Sequence, residues 1–306
     1  MDAARQRSLV GELARRGFST HSSETIVELA NHGFTDAEIR RLAAASAAVA
    51  DPDFALSRLA ELGIATLPDV AADERWLKRV AAVMGGSRPL GRHLVLHSEA
   101  LDLLRQPGEL PPHLSGQLRM DLWNAVLPSV GRASLKKLDD APVVLADPRG
   151  TAAATLRVAN RTQLARIAAR DLTSYDPAAA LPSIAHELTD LADAVVEVAL
   201  ALARGQVDGA EHVRLAVVAL GKCGARELNY LSDVDVLYIA EPADDATTPE
   251  QAVHLGSDIA AALMRLTSAN TATGTIWSID AALRPEGHAG PLVRTLAAMA
   301  AYYRNG

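Results

Sequence analysis

The sequence predicts a mostly helical α+β protein. It divides into a helical N-terminal region at 1–135 and a second domain at 136–306, where leading helices at 151–205 feed a small mixed sheet region at 213–306. Three observations carry this. Hydrophobic residues make up 49% of the 306-residue chain and alanine, the best helix former, is the commonest residue. Apolar positions recur at helical spacing through the segment ending near Gly205. Beyond Val213 they give way to short continuous apolar runs, which suit buried strands.

In the first region, Glu24–Asn31 reads as a helix ending at Gly33. Thr35 with Glu38 three residues on forms a capping box for a helix through Ile39, Leu42 and Ala43. Asp51-Pro52 starts another, with Phe54, Leu56, Leu59 and Leu62 as its apolar face and Gly63 as its stop. Leu90–Leu104 reads as one further helix, broken by Pro107 and the prolines after it. His93 and His97 would share a face of it, and two partly exposed histidines are expected there, since no Glu-x-x-His companion suggests a metal pair.

In the second region, Pro142–Ala146 suits a short strand or a loop, and Leu156–Leu172 and Pro182–Arg204 read as long helices, the latter ended by Gly205. Leu215–Leu220 and Val234–Ile239 read as strands, Thr248-Pro249-Glu250 opens a helix through Leu266, Thr275–Ala281 is a third strand, and Arg294–Tyr303 is a last helix.

Composition narrows the function classes. A formal net charge of −7 gives no bulk drive toward nucleic acid or an anionic membrane. The single cysteine excludes a disulfide framework and a multi-thiolate zinc site, and fits a reducing cytoplasm. The N-terminal charges are followed by no apolar stretch of signal-peptide type. The most apolar segment, Ala192–Ala203, contains Asp193 and Glu197 and is too short to span a bilayer.

Chemistry concentrates after the first strand. Gly221-Lys222-Cys223-Gly224 follows it, then a short helix around Ala225–Asn229, then Ser232-Asp233-Val234-Asp235. Glycines after a strand let backbone N–H groups approach a phosphate, and Lys222, one of four lysines, adds a point charge. Neither a Walker loop nor a dinucleotide fingerprint is present. Asp233 and Asp235 are two apart at a strand start, so they face the same way and repel unless a cation sits between them. Mg²⁺ suits such a pair, with Mn²⁺ as an alternative, and Asp280 at the end of the third strand would converge as a third carboxylate. Alone, the two acids could equally be solvated groups at a strand start; strand, glycine turn and later Asp together point to metal-assisted phosphoryl chemistry.

The run Gly221–Tyr230 leading into Ser232-Asp233-Val234-Asp235 resembles the nucleotidyltransferase signature of the glutamine synthetase adenylyltransferase/adenylyl-removing enzyme family. Asp280-Ala281-Ala282-Leu283-Arg284-Pro285-Glu286-Gly287 with Gly290-Pro291-Leu292-Val293 resembles its second signature, and Arg166–Leu172 a further family segment. The first 135 residues are similar only loosely. The resemblance implies a polymerase-β-like nucleotidyltransferase fold, with Asp233, Asp235 and Asp280 as catalytic metal ligands and Gly221, Lys222, Gly224, Ser232 and Arg284 at nucleotide or phosphate. For Lys222 a solvated loop position is the alternative, and for Arg284 a structural ion pair. Cys223 reads as a small filler, and Tyr302 and Tyr303 as core. Ala282 stands where many family members carry arginine.

Such family proteins carry two catalytic copies: one removes AMP from a tyrosine of glutamine synthetase by phosphorolysis, releasing ADP, and the other attaches AMP from ATP. The long helical lead-in is similar to the removing copy. Glutamine synthetase, nucleotide and inorganic phosphate are the implied partners, and the nitrogen-sensing PII protein is admitted as another. Because family proteins continue past the position of Gly306, a fragment is expected, and with it the alternative of a non-catalytic nucleotide-binding or regulatory module.

Overall fold

The computed structural model describes residues 3–20, 22–132 and 142–305; the boundary expected between 135 and 136 lies outside them. Seven helices come first: α1 (Ala3–Ala14), α2 (Ser22–Asn31), α3 (Asp36–Ala47), α4 (Pro52–Glu61), α5 (Gly63–Ala72), α6 (Glu74–Gly86) and α7 (Arg88–Leu96). Next come α8 (Ser115–Val126), α9 (Thr151–Leu172) and α10 (Pro177–Arg204). The remainder is β1 (Val213–Ala219), α11 (Gly221–Gly224), β2 (Val234–Pro242), α12 (Pro249–Ser268), β3 (Ile279–Asp280), β4 (Val293–Arg294) and α13 (Leu296–Asn305). The mostly helical α+β class is as the sequence predicts. Contacts divide the chain into two compact units, Met1–Pro112 with Arg161–Leu181, and His113–Asn160 with Pro182–Gly306.

The first unit is built on capped, amphipathic helices. Thr35 Oγ1 accepts from the Glu38 amide at 3.3 Å while Glu38 Oε2 accepts from the Thr35 amide at 2.7 Å, the expected capping box. Asp51 caps α4 through the Phe54 amide at 3.1 Å. Leu56, Leu59, Leu67, Val70, Leu77 and Val80 bury their side chains fully or nearly so. Gly63 ends α4 with φ +68°, but the chain turns directly into α5, which the sequence did not announce: α5 has no side-chain cap and holds Pro68 inside it.

The expected single helix over Leu90–Leu104 is two pieces. α7 stops at His97, which leaves helical backbone (φ −130°, ψ 67°), and Ser98–Leu104 continues as a 3₁₀ helix. His93 is buried rather than partly exposed. Its Nε2 lies 2.8 Å from Thr162 Oγ1, its ring is 4.7 Å from that of His97, and burial pushes it down to about 4.

In the second unit α10 buries a long apolar face, with Ile184, Leu188, Leu191, Val195, Val198 and Leu202. Glu197 on that helix receives Arg119 through both oxygens at 2.5 and 2.6 Å and the Trp123 indole at 3.1 Å. The helix begins five residues before the expected Pro182. That proline lies in an exposed stretch near the helix start, where the carbonyl it leaves unpaired faces water. Pro142–Ala146 takes the loop form and not the strand: the Leu145 amide donates to Ala201 O, and a Cβ on Gly205 would stand 2.0 Å from Leu145 O.

The sheet centres on β2. β1 runs antiparallel along one edge, from Val213 opposite Pro242 to Ala219 opposite Val236. On the other edge β3 pairs parallel at Val234–Ile279 and Asp235–Asp280, and β4 pairs parallel at Tyr238–Val293 and Ile239–Arg294. α12 packs on β1 and β2, opening with a capping box at Thr248 and Gln251. The third strand is shorter than the expected Thr275–Ala281, because the Ile276 amide bonds back to Thr267 O and contact with β2 begins only at Ser278, whose carbonyl accepts the Val234 amide at 2.9 Å ahead of the paired Ile279–Asp280. The last helix starts at Leu296, since Val293 and Arg294 join the sheet. Tyr302 and Tyr303, expected in the core, are 38% and 65% exposed on that helix.

Candidate active site

The site grows out of the β1–β2 connection. The Leu220 amide donates to Asp235 O at 2.8 Å, carrying the strand register one step past β1 and setting Gly221 against Asp235. Gly221 has φ +52°, and a Cβ there would stand 2.2 Å from Asp235 Oδ2. At Gly224 a Cβ would stand 2.7 Å from Ala219 O. The glycines therefore let a tight turn close onto the two strands and onto the Asp235 carboxylate.

The short helix expected at Ala225–Asn229 falls instead at Gly221–Gly224, as the single turn α11. It stops because Arg226 takes left-handed backbone (φ 60°), with Glu227 N–H donating to Lys222 O at 2.8 Å and Arg226 N–H to Cys223 O at 3.0 Å. This is the closure that glycine usually provides at a helix end. Arginine bears the strain of roughly 1–2 kcal/mol with a tether: its Nη2 lies 2.5 Å from Asp190 Oδ1 on α10. Beside it the Leu228 amide donates to Thr189 Oγ1 at 3.4 Å. The turn is thus tied to the long buried helix at two successive residues.

Lys222, Asn229, Leu231, Ser232, Asp233 and Asp235 line a polar cleft of about 440 Å³. Lys222 Nζ donates to Ser232 Oγ at 3.1 Å, which holds the ammonium at the cleft. Asp233 is exposed and Asp235 half-buried, flanking the buried Val234, so strand alternation puts both carboxylates on one side. Among the described residues neither carboxylate has an ion-pair partner. Two like charges at an open polar cleft, with an ammonium and a hydroxyl alongside, suit a hard divalent cation that keeps water and phosphate oxygens in its shell.

Asp280 is the in-register parallel neighbour of Asp235. Its Oδ1 accepts from the Ala282 amide at 2.8 Å, and it is not part of the cleft lining. Among the described residues no three His, Cys, Asp or Glu side chains gather closely enough to hold an ion. The structure therefore brings Gly221, Lys222, Ser232, Asp233 and Asp235 together, sets Gly224 beneath the turn, and leaves Asp280 beside them with its carboxylate on its own loop. Arg284 is committed elsewhere: its guanidinium donates to Ala281 O at 2.7 Å, Gly290 O at 3.2 Å and His288 O at 3.4 Å, bracing the loop after β3. Cys223 is buried, and burial with the nearby Asp193 pushes its thiol up to about 11, which suits a filler and not a nucleophile.

Sequence reasoning missed Asn229 and Leu231 as lining residues and Asp190 and Thr189 as anchors. The first two lie within the recognised motif. The anchors are some 40 residues upstream on another helix, and a single sequence carries no sign of that pairing.

Two comparisons bear on what this arrangement belongs to. The family model described as glutamate-ammonia ligase adenylyltransferase matches residues 77–306. The chain is 43% identical over 257 residues to the bifunctional glutamine synthetase adenylyltransferase/adenylyl-removing enzyme of Cutibacterium acnes, covering 83% of this chain and 25% of that protein. It is 36% identical over 279 residues to the protein of that name in Bifidobacterium longum strain NCC 2705, covering 88% and 25%. For the Streptomyces coelicolor protein of the same name the identity is 37% over 311 residues, covering 92% and 28%. The chain spans about a quarter of the length of these curated relatives. The match over most of its length, which takes in the strand–turn–strand motif, makes this chain a member of the glutamate-ammonia ligase adenylyltransferase family.

Proposed function

We propose that the chain is an adenylyl-removing nucleotidyltransferase domain that acts on adenylyl-tyrosine of glutamine synthetase, in the cytoplasm, with inorganic phosphate as co-substrate. The observation that carries the reading is the cleft where Lys222 and Ser232 face the paired carboxylates Asp233 and Asp235. In the reaction a phosphate oxygen attacks the α-phosphorus, the bond to the tyrosine oxygen breaks, and the proton of hydrogen phosphate ends on that oxygen. The products are ADP and free tyrosine.

Asp233 and Asp235 would hold Mg²⁺ or Mn²⁺, with Asp280 as the third carboxylate beside them, and such an ion would polarise the phosphoryl oxygens and offset the charge that builds up on them. Lys222 neutralises a phosphate oxygen, and Ser232 orients both the lysine and the phosphate. The turn Gly221–Gly224, anchored through Arg226, fixes the distance between that ammonium and Asp235.

The test supplies the chain with adenylylated glutamine synthetase, phosphate and Mg²⁺ and measures ADP. Phosphate-dependent ADP release supports the reading; AMP loading from ATP onto unmodified glutamine synthetase, without ADP release, overturns it. The Asp280 carboxylate resting on the Ala282 amide favours a second reading, a module that binds nucleotide without turnover. That reading requires Mg²⁺-dependent ADP binding with no ADP released from the adenylylated protein. PII is the regulatory partner to test on either reading.

A further inference from the structure

A second charged cleft lies in the same unit, on residues the proposed reaction does not use. Its volume is about 530 Å³, and its polar lining is Asp147, Arg157, Gln206, Arg265, Thr271 and Thr273. Arg157 is only 5% exposed. A guanidinium so deeply buried ordinarily meets a carboxylate, because removing its charge from water is costly. Among the described residues Arg157 has none: its one hydrogen bond there runs from Nη2 to Leu266 O at 2.8 Å, and its Nε has no partner. Burial lowers its basicity, and no acid among the described residues acts the other way.

Arg265, on the last turn of α12, stands exposed at the same cleft without an ion-pair partner among the described residues. The carboxylate of Asp147 is spent on the first turn of α9, accepting from the Ala153 amide at 2.9 Å. Thr271 Oγ1 donates to Gly274 O at 2.8 Å and lies 3.0 Å from Thr273 Oγ1, so a hydroxyl pair forms one wall. In a chain of net charge −7, this cleft carries two guanidiniums against one carboxylate already in use.

We propose that this cleft is a second ligand site, for a small phosphate-bearing anion held by Arg157 and Arg265. The anion would supply the counter-charge that Arg157 lacks, and the two planar guanidiniums match phosphate oxygens in forked geometry. The site is independent of divalent cation, because none of its groups needs one, and this separates it from the acidic cleft.

The probe is inorganic pyrophosphate, titrated calorimetrically in excess chelator. Saturable binding is expected to weaken about tenfold or more in Arg265→Glu, where an exposed side chain is changed at no cost to the core, and in Arg157→Met. Lys222→Ala should move it by less than about twofold, since that lysine belongs to the other cleft. Thermal unfolding gives a second reading: Arg157→Met, freed of an uncompensated buried charge, should unfold no lower than wild type and should no longer be raised by pyrophosphate. Binding that survives Arg265→Glu but disappears in Lys222→Ala overturns the proposal, as does the absence of saturable binding without metal. If Arg157→Met fails to fold, Arg265→Glu decides alone.

Discussion

Replacing Gly221 by alanine separates what the fold needs from what the site needs. The backbone there sits at φ +52°, in the left-handed region, where an L side chain costs roughly 1–2 kcal/mol. The new methyl would also stand 2.2 Å from Asp235 Oδ2. That oxygen is the end of a side chain and not backbone, so the carboxylate can swing away and the protein can still fold. On the proposed reading the swing is what the site cannot tolerate, because it moves the Asp235 carboxylate within the cleft it lines with Asp233 and Lys222. Urea unfolding should therefore show a loss of only about 1–2 kcal/mol, while Mg²⁺-dependent ADP affinity falls roughly 10–100-fold, as is usual when a metal ligand's setting is disturbed. Gly131→Ala is the control: its φ is +72° and no described residue stands within 4 Å of the added Cβ, so it should lose similar stability and keep full affinity. If Gly221→Ala binds Mg²⁺ and ADP as wild type does while losing the expected stability, the close approach to Asp235 has no functional meaning and the reasoning fails.

Four further outcomes are expected. Asp233→Asn with Asp235→Asn should abolish turnover and leave thermal stability equal or higher, because two unpaired like charges are removed; a large drop in melting temperature would contradict this. Lys222→Ala should weaken ADP or phosphate binding at the acidic cleft by about 1–3 kcal/mol, and an unchanged dissociation constant would return the lysine to a solvated loop. Arg226→Ala and Arg226→Gly should both speed hydrogen exchange at the Glu227 and Leu228 amides by breaking the tether to Asp190. Only the glycine variant should recover the left-handed backbone cost, and equal stabilities of the two would count against strain at Arg226. His93, buried against Thr162, His97 and Arg161, is held neutral with its value pushed down to about 4 from 6.5. The unfolded chain therefore takes up its proton first as pH falls, so stability present above pH 6.5 is lost between 6.5 and 4, by up to about 3 kcal/mol. In His93→Gln that part of the pH dependence of urea unfolding should flatten.

The local chemistry of the site was legible because it is written within a few residues. Asp233 and Asp235 share a side by strand alternation alone, and the glycine turn announces a sharp reversal before them. What the glycines do was legible only in part, since contact with Asp235 Oδ2 and Ala219 O depends on the register of β1 on β2. The capping residues Thr35 and Asp51 located their helices because a cap acts over three positions. α5 went unseen because it lacks such a cap and carries Pro68, and its helical state comes from burying Leu67 and Val70. The Thr275–Ala281 strand was over-read: its composition suits a strand throughout, but pairing is decided by where Ile276 and Val234 find their hydrogen bonds. Arg284 shows the same limit, because three backbone carbonyls from a loop that folds back on it claim its guanidinium.

The central claim, phosphorolysis of an adenylyl-tyrosine, is tested most directly by the fate of the α-phosphorus. Glutamine synthetase adenylylated with AMP carrying ³²P is incubated with the chain, Mg²⁺ and unlabelled phosphate, and the released label is separated by chromatography. The account predicts that the label leaves the protein as ADP, only when phosphate is present, and that Asp233→Asn with Asp235→Asn leaves it on the protein. Label released as AMP without need of phosphate, or label retained by glutamine synthetase under conditions where the chain binds Mg²⁺ and ADP, would contradict it.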